Sequence, residues 1–523
     1  MRRGAGGAVG AVTVGTLLAA GLAAGPAVAQ EKLEWAVCAD LEPRGDIQPE
    51  CSSLAVPMQR GGSGATETVT LALSRVPARA ERAGTLVVNP GGPGSPGRDW
   101  AAIVAQGLPD DLRESYDVVS FDPRGVGAST PAVQCDPRYF EAARPSSVPA
   151  DASAEKTLLN RVAVYAEACR ERNGALLSHI RTVDSAHDIE SIRTALGVER
   201  IDYLGYSYGT YLGGVYATLY PDSVRRIVLD SVVNPDNPWY GSNLLQSRSL
   251  DAAARNFFGW IARYDADYRL GTTGQQVAER YYSARDDLAA QPLDGIVGAT
   301  EFENIFLPAT YASTYWPSLA QTLSAYVRGA DAKPLLSMHE KLGEDADSDP
   351  SHGAYLATQC SDARWPRDWA TWRTDARRLH DEAPFMAWNN TWYNGPCMFW
   401  PVKGGPWFQV DGRSVASALI VQATEDGPTP VAGAYAMHAR FPSSRLIIEQ
   451  GGVTHGVSFG DNACVDLAVA AYLREGTLPA AGGGSNGADL TCAPPPQPQP
   501  RRPENAQADP DRGIPGLDHR LGA

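Results

Sequence analysis

Three residues far apart in the chain carry side chains that together could break an acyl bond: Ser207, Asp426 and His455. A serine hydroxyl is a weak nucleophile at neutral pH. It needs an imidazole to accept its proton and a carboxylate to fix the imidazole's tautomer and stabilise the imidazolium that forms. Ser207 stands in Gly205-Tyr206-Ser207-Tyr208-Gly209, a pattern in which the chain turns sharply from strand to helix and lifts the hydroxyl above a sheet edge. Two further Gly-x-Ser-x-Gly matches surround Ser458 and Ser485. The Ser485 match lies in a glycine-rich tail and the Ser458 match has no clear helical pattern directly behind it, so Ser207 is the candidate nucleophile. His438 is a rival base but falls within a predicted helix, and Glu425 is the rival acid.

The same chemistry needs N–H donors for the oxyanion. Pro90-Gly91-Gly92-Pro93-Gly94-Ser95-Pro96-Gly97 reads on composition alone as a surface turn. It follows a buried strand, however, at the position where one such donor is supplied, and the residue after the nucleophile supplies the other. Gly92 or a neighbour, with the N–H of Tyr208, is the candidate pair. Arg124, in Asp122-Pro-Arg-Gly-Val-Gly127, reads as scaffold, because a guanidinium does not exchange protons near neutral pH.

Positioning these groups requires a sheet. Alternating or continuous apolar runs predict strands at 67–76, 85–89, 116–121, from Arg200 through Leu204, and at 226–231, 418–423 and 444–449. Tyr211 to Tyr220 continue as a helix behind Ser207, and Asp184 is the expected cap of a helix ending at Gly197. Strand and helix alternating in this order indicate right-handed crossovers and an α/β fold with a mainly parallel sheet. Asp426 and His455 then sit on loops after successive late strands. Between residues 236 and 410 the rhythm stops, and helical stretches carry ten of the twelve tryptophans. That region reads as a mainly helical cap inserted between core segments 30–235 and 411–478. Its Trp365, Trp369, Trp372, Trp388, Trp392, Trp400 and Trp407 are core by default and candidate cleft residues otherwise. Asp362 is a candidate for binding a substrate amine, or a solvated carboxylate or cap.

Composition bounds the partners. Met1-Arg2-Arg3, an apolar stretch to Ala24 and Ala27-Val28-Ala29 have the parts of a secretory signal peptide over 1–29, with a membrane anchor as the competing reading. Removing Arg2 and Arg3 leaves 43 basic against 60 acidic residues, about −17, which argues against nucleic acid or an anionic membrane surface as partner. Eight cysteines suit an oxidising compartment, and nearest-neighbour pairing would join Cys38–Cys51, Cys135–Cys169, Cys360–Cys397 and Cys464–Cys492. There is no CxxC, HExxH or Cys/His cluster, so neither a metal nor another cofactor is expected. Residues 479–523, rich in Ala, Gly, Pro and Gln, read as a flexible tail apart from Cys492.

Five motifs in register, Asn89-Pro-Gly-Gly-Pro-Gly94, Asp122-Pro-Arg-Gly-Val-Gly127, Gly205-Tyr-Ser-Tyr-Gly-Thr210, Asp426-Gly-Pro-Thr-Pro430 and Gly452-Val-Thr-His-Gly456, carry a resemblance. The chain resembles secreted tripeptidyl aminopeptidases of Streptomyces and related actinobacteria, α/β-hydrolase serine exopeptidases akin to prolyl aminopeptidases. That resemblance implies release of short peptides from a free N-terminus, with Ser207, Asp426 and His455 matching the triad and Gly92 and Tyr208 the oxyanion positions. An esterase or tailoring hydrolase using the same triad, and a non-catalytic binding protein, are the competing readings. Ser95-Pro96-Gly97 departs from the family's Gly-Ser-Gly ending and bears on substrate preference, because it lies beside the oxyanion loop.

Overall fold

A computed structural model describes residues 33–60, 67–329 and 331–501, with Gly4, Gly6 and Gly7. Apart from those three glycines, the expected signal peptide lies outside the described residues. Ten strands form one sheet: β1 (Ala36–Val37), β2 (Glu50–Pro57), β3 (Thr68–Val76), β4 (Gly84–Asn89), β5 (Tyr116–Phe121), β6 (Ile201–Tyr206), β7 (Val224–Asp230), β8 (Ala418–Ala423), β9 (Ser444–Glu449) and β10 (Leu490–Cys492). Their spatial order is β1-β2-β3-β5-β4-β6-β7-β8-β9-β10. Pairing from β5 through β10 is parallel, while β1, β2 and β3 pair antiparallel at one edge. The fold is the expected α/β architecture.

Central strands are buried throughout, so their apolar residues divide between two faces by simple alternation. Leu86, Val88, Val118, Leu204, Val228 and Ile447 pack under the helices Trp100–Gly107 and Ala463–Glu475. Val87, Val119, Tyr203, Ile227, Leu229 and Ile448 face the helices Thr182–Ala195, Tyr208–Leu219 and Ala432–Arg440. This double covering fixes the sheet, and with it the ends of β6, β7, β8 and β9 from which the candidate residues emerge. Between β7 and β8, the described residues form helices, among them Trp239–Arg263, Gly274–Ala290, Ala299–Phe306 and Trp316–Val327, which share a core of their own around Phe257, Trp260, Tyr281, Phe302 and Trp316. No helix among the described residues is long and apolar enough to cross a membrane.

Several expectations are corrected. Asp184 is not the cap of its helix, which starts two residues earlier at Thr182; Asp184 instead pairs with Arg181 at 2.9 Å. The leading amide of that helix, Thr182 N, is taken by Asp362 Oδ1 at 2.8 Å, a cap supplied from 180 residues away. Residues 479–501 depart from the expected flexible tail. Leu490–Cys492 extends the sheet as β10, Cys464–Cys492 ties it to the helix behind β9, and Trp260 Nε1 donates to Pro498 O at 3.0 Å. β10 has three residues and β2 opens on Glu-Cys-Ser-Ser, so neither shows the apolar run that exposes a buried strand, which is why composition hid them. The four disulfides have the nearest-neighbour connectivity.

Candidate active site

β6 delivers the chain to Ser207, whose φ of 55° and ψ of −126° lie in a region a non-glycine residue adopts only under constraint. Ser207 N donates to Asp230 O at the end of β7, at 3.0 Å, which supplies that constraint. The flanking glycines are required by close approach. A Cβ on Gly205 would stand 2.3 Å from Gly209 O, and one on Gly209 would stand 2.7 Å from Asn89 O. The loop after β4 presses on the elbow in the same way, since a Cβ on Gly91 would lie 2.7 Å from that of Ser207. Gly92, at φ +103°, lines the cavity beside Ser207. Tyr208 opens the helix Tyr208–Leu219, so its N–H is among the first-turn donors without an intrahelical acceptor, while its hydroxyl turns away to Thr182 Oγ1 at 2.9 Å.

Asp426 sits on the loop after β8, 2% exposed. It accepts Thr429 N at 2.8 Å, Thr429 Oγ1 at 2.9 Å and Gln422 Nε2 at 3.1 Å. His455 Nδ1 meets both of its oxygens, at 3.0 and 2.9 Å. An Nδ1 held against a carboxylate so fully hydrogen-bonded carries the proton, which leaves Nε2 as a base. The rivals are elsewhere: His438 Nδ1 pairs with Ser444 Oγ at 2.7 Å, and Glu425 meets Asn256 at 3.4 Å.

Two anchors that sequence reading missed hold the histidine loop. His455 N donates to Tyr311 O at 2.7 Å, and the Tyr311 ring meets the imidazole edge-on, with centroids 5.4 Å apart. On the other side Gly456 N donates to Ser231 Oγ at 2.7 Å, and the buried Asp230 carboxylate accepts Val457 N at 3.1 Å and Ser458 N at 2.5 Å. Asp230 and Ser231 therefore register both the nucleophile turn and the histidine loop to one strand end. Burial pushes the Asp230 pKa up, and the amide and hydroxyl donors oppose that. The available signal was an aspartate closing the apolar run Ile227-Val228-Leu229. Gly452, three residues before His455, also has a steric cause, because a Cβ there would be 1.9 Å from Glu449 Oε1.

A cavity of about 630 Å³ opens over the elbow, lined by Gly92, Ser207, Tyr311 and Thr429 together with Trp239, Gln246 and Tyr355. Tyr311 and Thr429, which line this cavity with Ser207, both touch the His455 ring. No hydrogen bond joins Ser207 Oγ to His455 in this arrangement; such bonds commonly tighten only in the substrate complex. Asp362 does not line this cavity. It lies behind Trp239, accepting Trp239 Nε1 at 3.2 Å and the Thr182 hydroxyl at 2.6 Å, and burial raises its pKa to about 6. The tryptophans named from sequence do not line this cavity either: Trp369 packs on Trp392, Trp365 on Trp372 and Trp407 on Tyr211, and Trp239 is the indole beside Ser207. Arg124 is scaffold: its guanidinium meets Asp188 at 2.6 and 2.7 Å and the carbonyls of Met58 and His179.

A family model for the alpha/beta hydrolase fold matches residues 84–453, from the first residue of β4 to two residues before His455. The chain is 39% identical to Tripeptidyl aminopeptidase of Streptomyces coelicolor, over 90% of this chain and 88% of the relative. The chain belongs to this family of α/β hydrolases. The resemblance carried by the five motifs is thereby borne out, and the chain is an enzyme of the serine hydrolase class. Other α/β-hydrolase relatives are Serine protease Hip1 of Mycobacterium tuberculosis, 31% identical over 86% of this chain and 90% of that one, and Carboxylesterase B of the same organism, 32% identical over 91% and 92%.

Proposed function

We propose that this α/β hydrolase is an exported serine exopeptidase that releases short peptides, tripeptides foremost, from the free N-terminus of peptides or proteins. The observation that carries the catalytic part is the Asp426–His455 pair on a loop held by Asp230 and Ser231, the same strand end that holds the strained Ser207 elbow. His455 Nε2 removes the Ser207 proton as Oγ attacks the scissile carbonyl. Asp426 keeps the imidazole oriented and stabilises its cation. Backbone N–H groups of Gly92 and Tyr208 hold the oxyanion. The imidazolium then protonates the departing amine, and water activated by His455 releases the acyl group from Ser207. The 39% identity with the Streptomyces relative, over 90% of the chain, supports the peptidase reading, and four disulfides support export.

The Mycobacterium carboxylesterase relative favours a second reading, in which the same residues cleave a non-peptide ester. Hydrolysis of a free-amine tripeptide anilide, compared with its N-acetylated form and with a simple aryl ester, separates the two. Preference for the free amine supports the exopeptidase; preference for the blocked peptide or the ester overturns it.

A further inference from the structure

Tyr311 and Gln246 line the cavity over Ser207. Both residues also line a second cavity of about 530 Å³, whose polar lining includes Asn304, Glu344, Asn389 and Tyr393. Amide side chains mark the junction: Gln246 Nε2 donates to Pro428 O at 3.1 Å on the catalytic side, and Asn390 Nδ2 reaches Asn243 O at 3.2 Å. Such groups suit the backbone of an extended peptide.

Glu344 is the acidic residue lining this second cavity. Its Oε2 accepts from Arg144 Nη1 and Asn304 Nδ2, and Oε1 has no hydrogen-bond donor among the described residues. Arg144 does not neutralise it alone, because the same guanidinium donates to Glu301 at 2.8 Å. Two carboxylates thus share one cation, leaving a net charge of −1. Glu303, hydrogen-bonded to Asn389 at 3.1 Å, adds a buried acid whose Arg285 partner is 3.6 Å away and shared with Asp286. The Tyr393 hydroxyl on the same lining is buried without a hydrogen-bond partner among the described residues, and burial and then the Glu344 charge push its pKa up. A buried hydroxyl costs about 1–3 kcal/mol to leave unpaired. An open carboxylate oxygen, an unpartnered hydroxyl and a surplus negative charge around a cavity that shares Gln246 and Tyr311 with the one over Ser207 are what an ammonium group would satisfy.

We propose that Glu344 anchors the α-ammonium of the peptide substrate in the second cavity, while the scissile carbonyl lies at Ser207. This rests on the exopeptidase reading above and gives it a ruler. Three extended residues span about 10 Å, and the separation between anchor and nucleophile selects how many residues leave. Asp362, buried behind Trp239, has no part in it.

The test uses the Glu344→Gln variant of the full chain, assayed on free-amine and N-acetylated tripeptide anilides, with the rate of fluorophosphonate labelling of Ser207 as a check on the intact site. The expected result is a loss of about 10–100-fold in kcat/KM on the free amine, mostly in KM, from removing one charged hydrogen bond. The acetylated substrate and the labelling rate stay unchanged. Equal loss on both substrates with normal labelling overturns the proposal, as does a retained preference for the free amine. Should Glu344→Gln fail to fold, Glu344→Asp keeps the charge and the Arg144 partner but shortens the reach; it is expected to lower the preference several-fold, and an unchanged preference overturns the anchor. A wild-type enzyme with no preference for the free amine overturns the exopeptidase reading itself, an outcome distinct from failure of the variant.

Discussion

Both carboxylate oxygens of Asp426 meet Nδ1 of His455, at 3.0 and 2.9 Å. Three further donors, from Gln422 and Thr429, converge on the same carboxylate, so its orientation is fixed independently of the histidine. Asp426→Asn places an amide NH₂ among groups that all donate, which misaligns the imidazole as well as removing the charge. We predict a fall in kcat of about 10³–10⁴-fold with little change in KM. Steady-state kinetics on a tripeptide anilide check it, and a loss below about tenfold would contradict it.

Asp230 is the common anchor of the nucleophile turn and the histidine loop. Asp230→Ala strands the buried N–H groups of Val457 and Ser458. The expected cost is about 2–4 kcal/mol of stability, with kcat falling further than that loss of folded protein explains. Urea unfolding together with active-site titration separates the two effects.

Glu449, 1% exposed at the end of β9, titrates near neutrality. Burial first, with the Asp230 and Asp466 charges, pushes its pKa from 4.5 up to about 7, against the lowering effect of the Asn462 hydrogen bond. The unfolded chain therefore loses this proton first. The stabilising contribution is complete below about pH 4.5 and is lost as pH rises to about 7. Glu449→Gln removes that dependence, and the gain over wild type between pH 4.5 and 7.5 is on the order of 3 kcal/mol at most. Unfolding midpoints across that range check it; a difference between the two proteins that does not vary with pH would contradict it.

The Cys464–Cys492 bridge closes a 28-residue separation and holds β10 on the sheet. Replacing both cysteines with serine is expected to cost about 3–4 kcal/mol on chain-entropy grounds and to open residues 479–501 to limited proteolysis. Cleavage confined to those residues, while the sheet and activity persist, is the expected pattern on a denaturing gel.

What could be read from sequence followed the strength of the local signal. Strands such as Tyr116–Phe121, Ala418–Ala423 and Ser444–Glu449 are short apolar runs bounded by turn residues, and their limits agree with the structure. β1 and β10 are edge strands of two and three residues and β2 is a mixed polar run between β1 and β3, so pairing is decided by neighbours and no local pattern announces them. At the site, Ser207, Asp426 and His455 were legible because each has a demanding chemistry in a distinctive turn. Asp230 was not, and of the readings open for Asp362 the structure takes the cap, on a helix 180 residues away, because an aspartate's partners come from segments up to 228 residues distant. Glu344 had no signal at all: its place is set by helices of the 236–410 segment packing against the loop that carries Arg144.

The central claim is that Ser207 forms the acyl-enzyme. The most direct measurement is peptide mass spectrometry of the protein after treatment with a fluorophosphonate, run beside Ser207→Ala. The account predicts one adduct on the peptide carrying Ser207, stoichiometric loss of peptidase activity, and an unlabelled, inactive Ser207→Ala protein. Retained activity in Ser207→Ala, or an inactivating adduct on another residue, would contradict it.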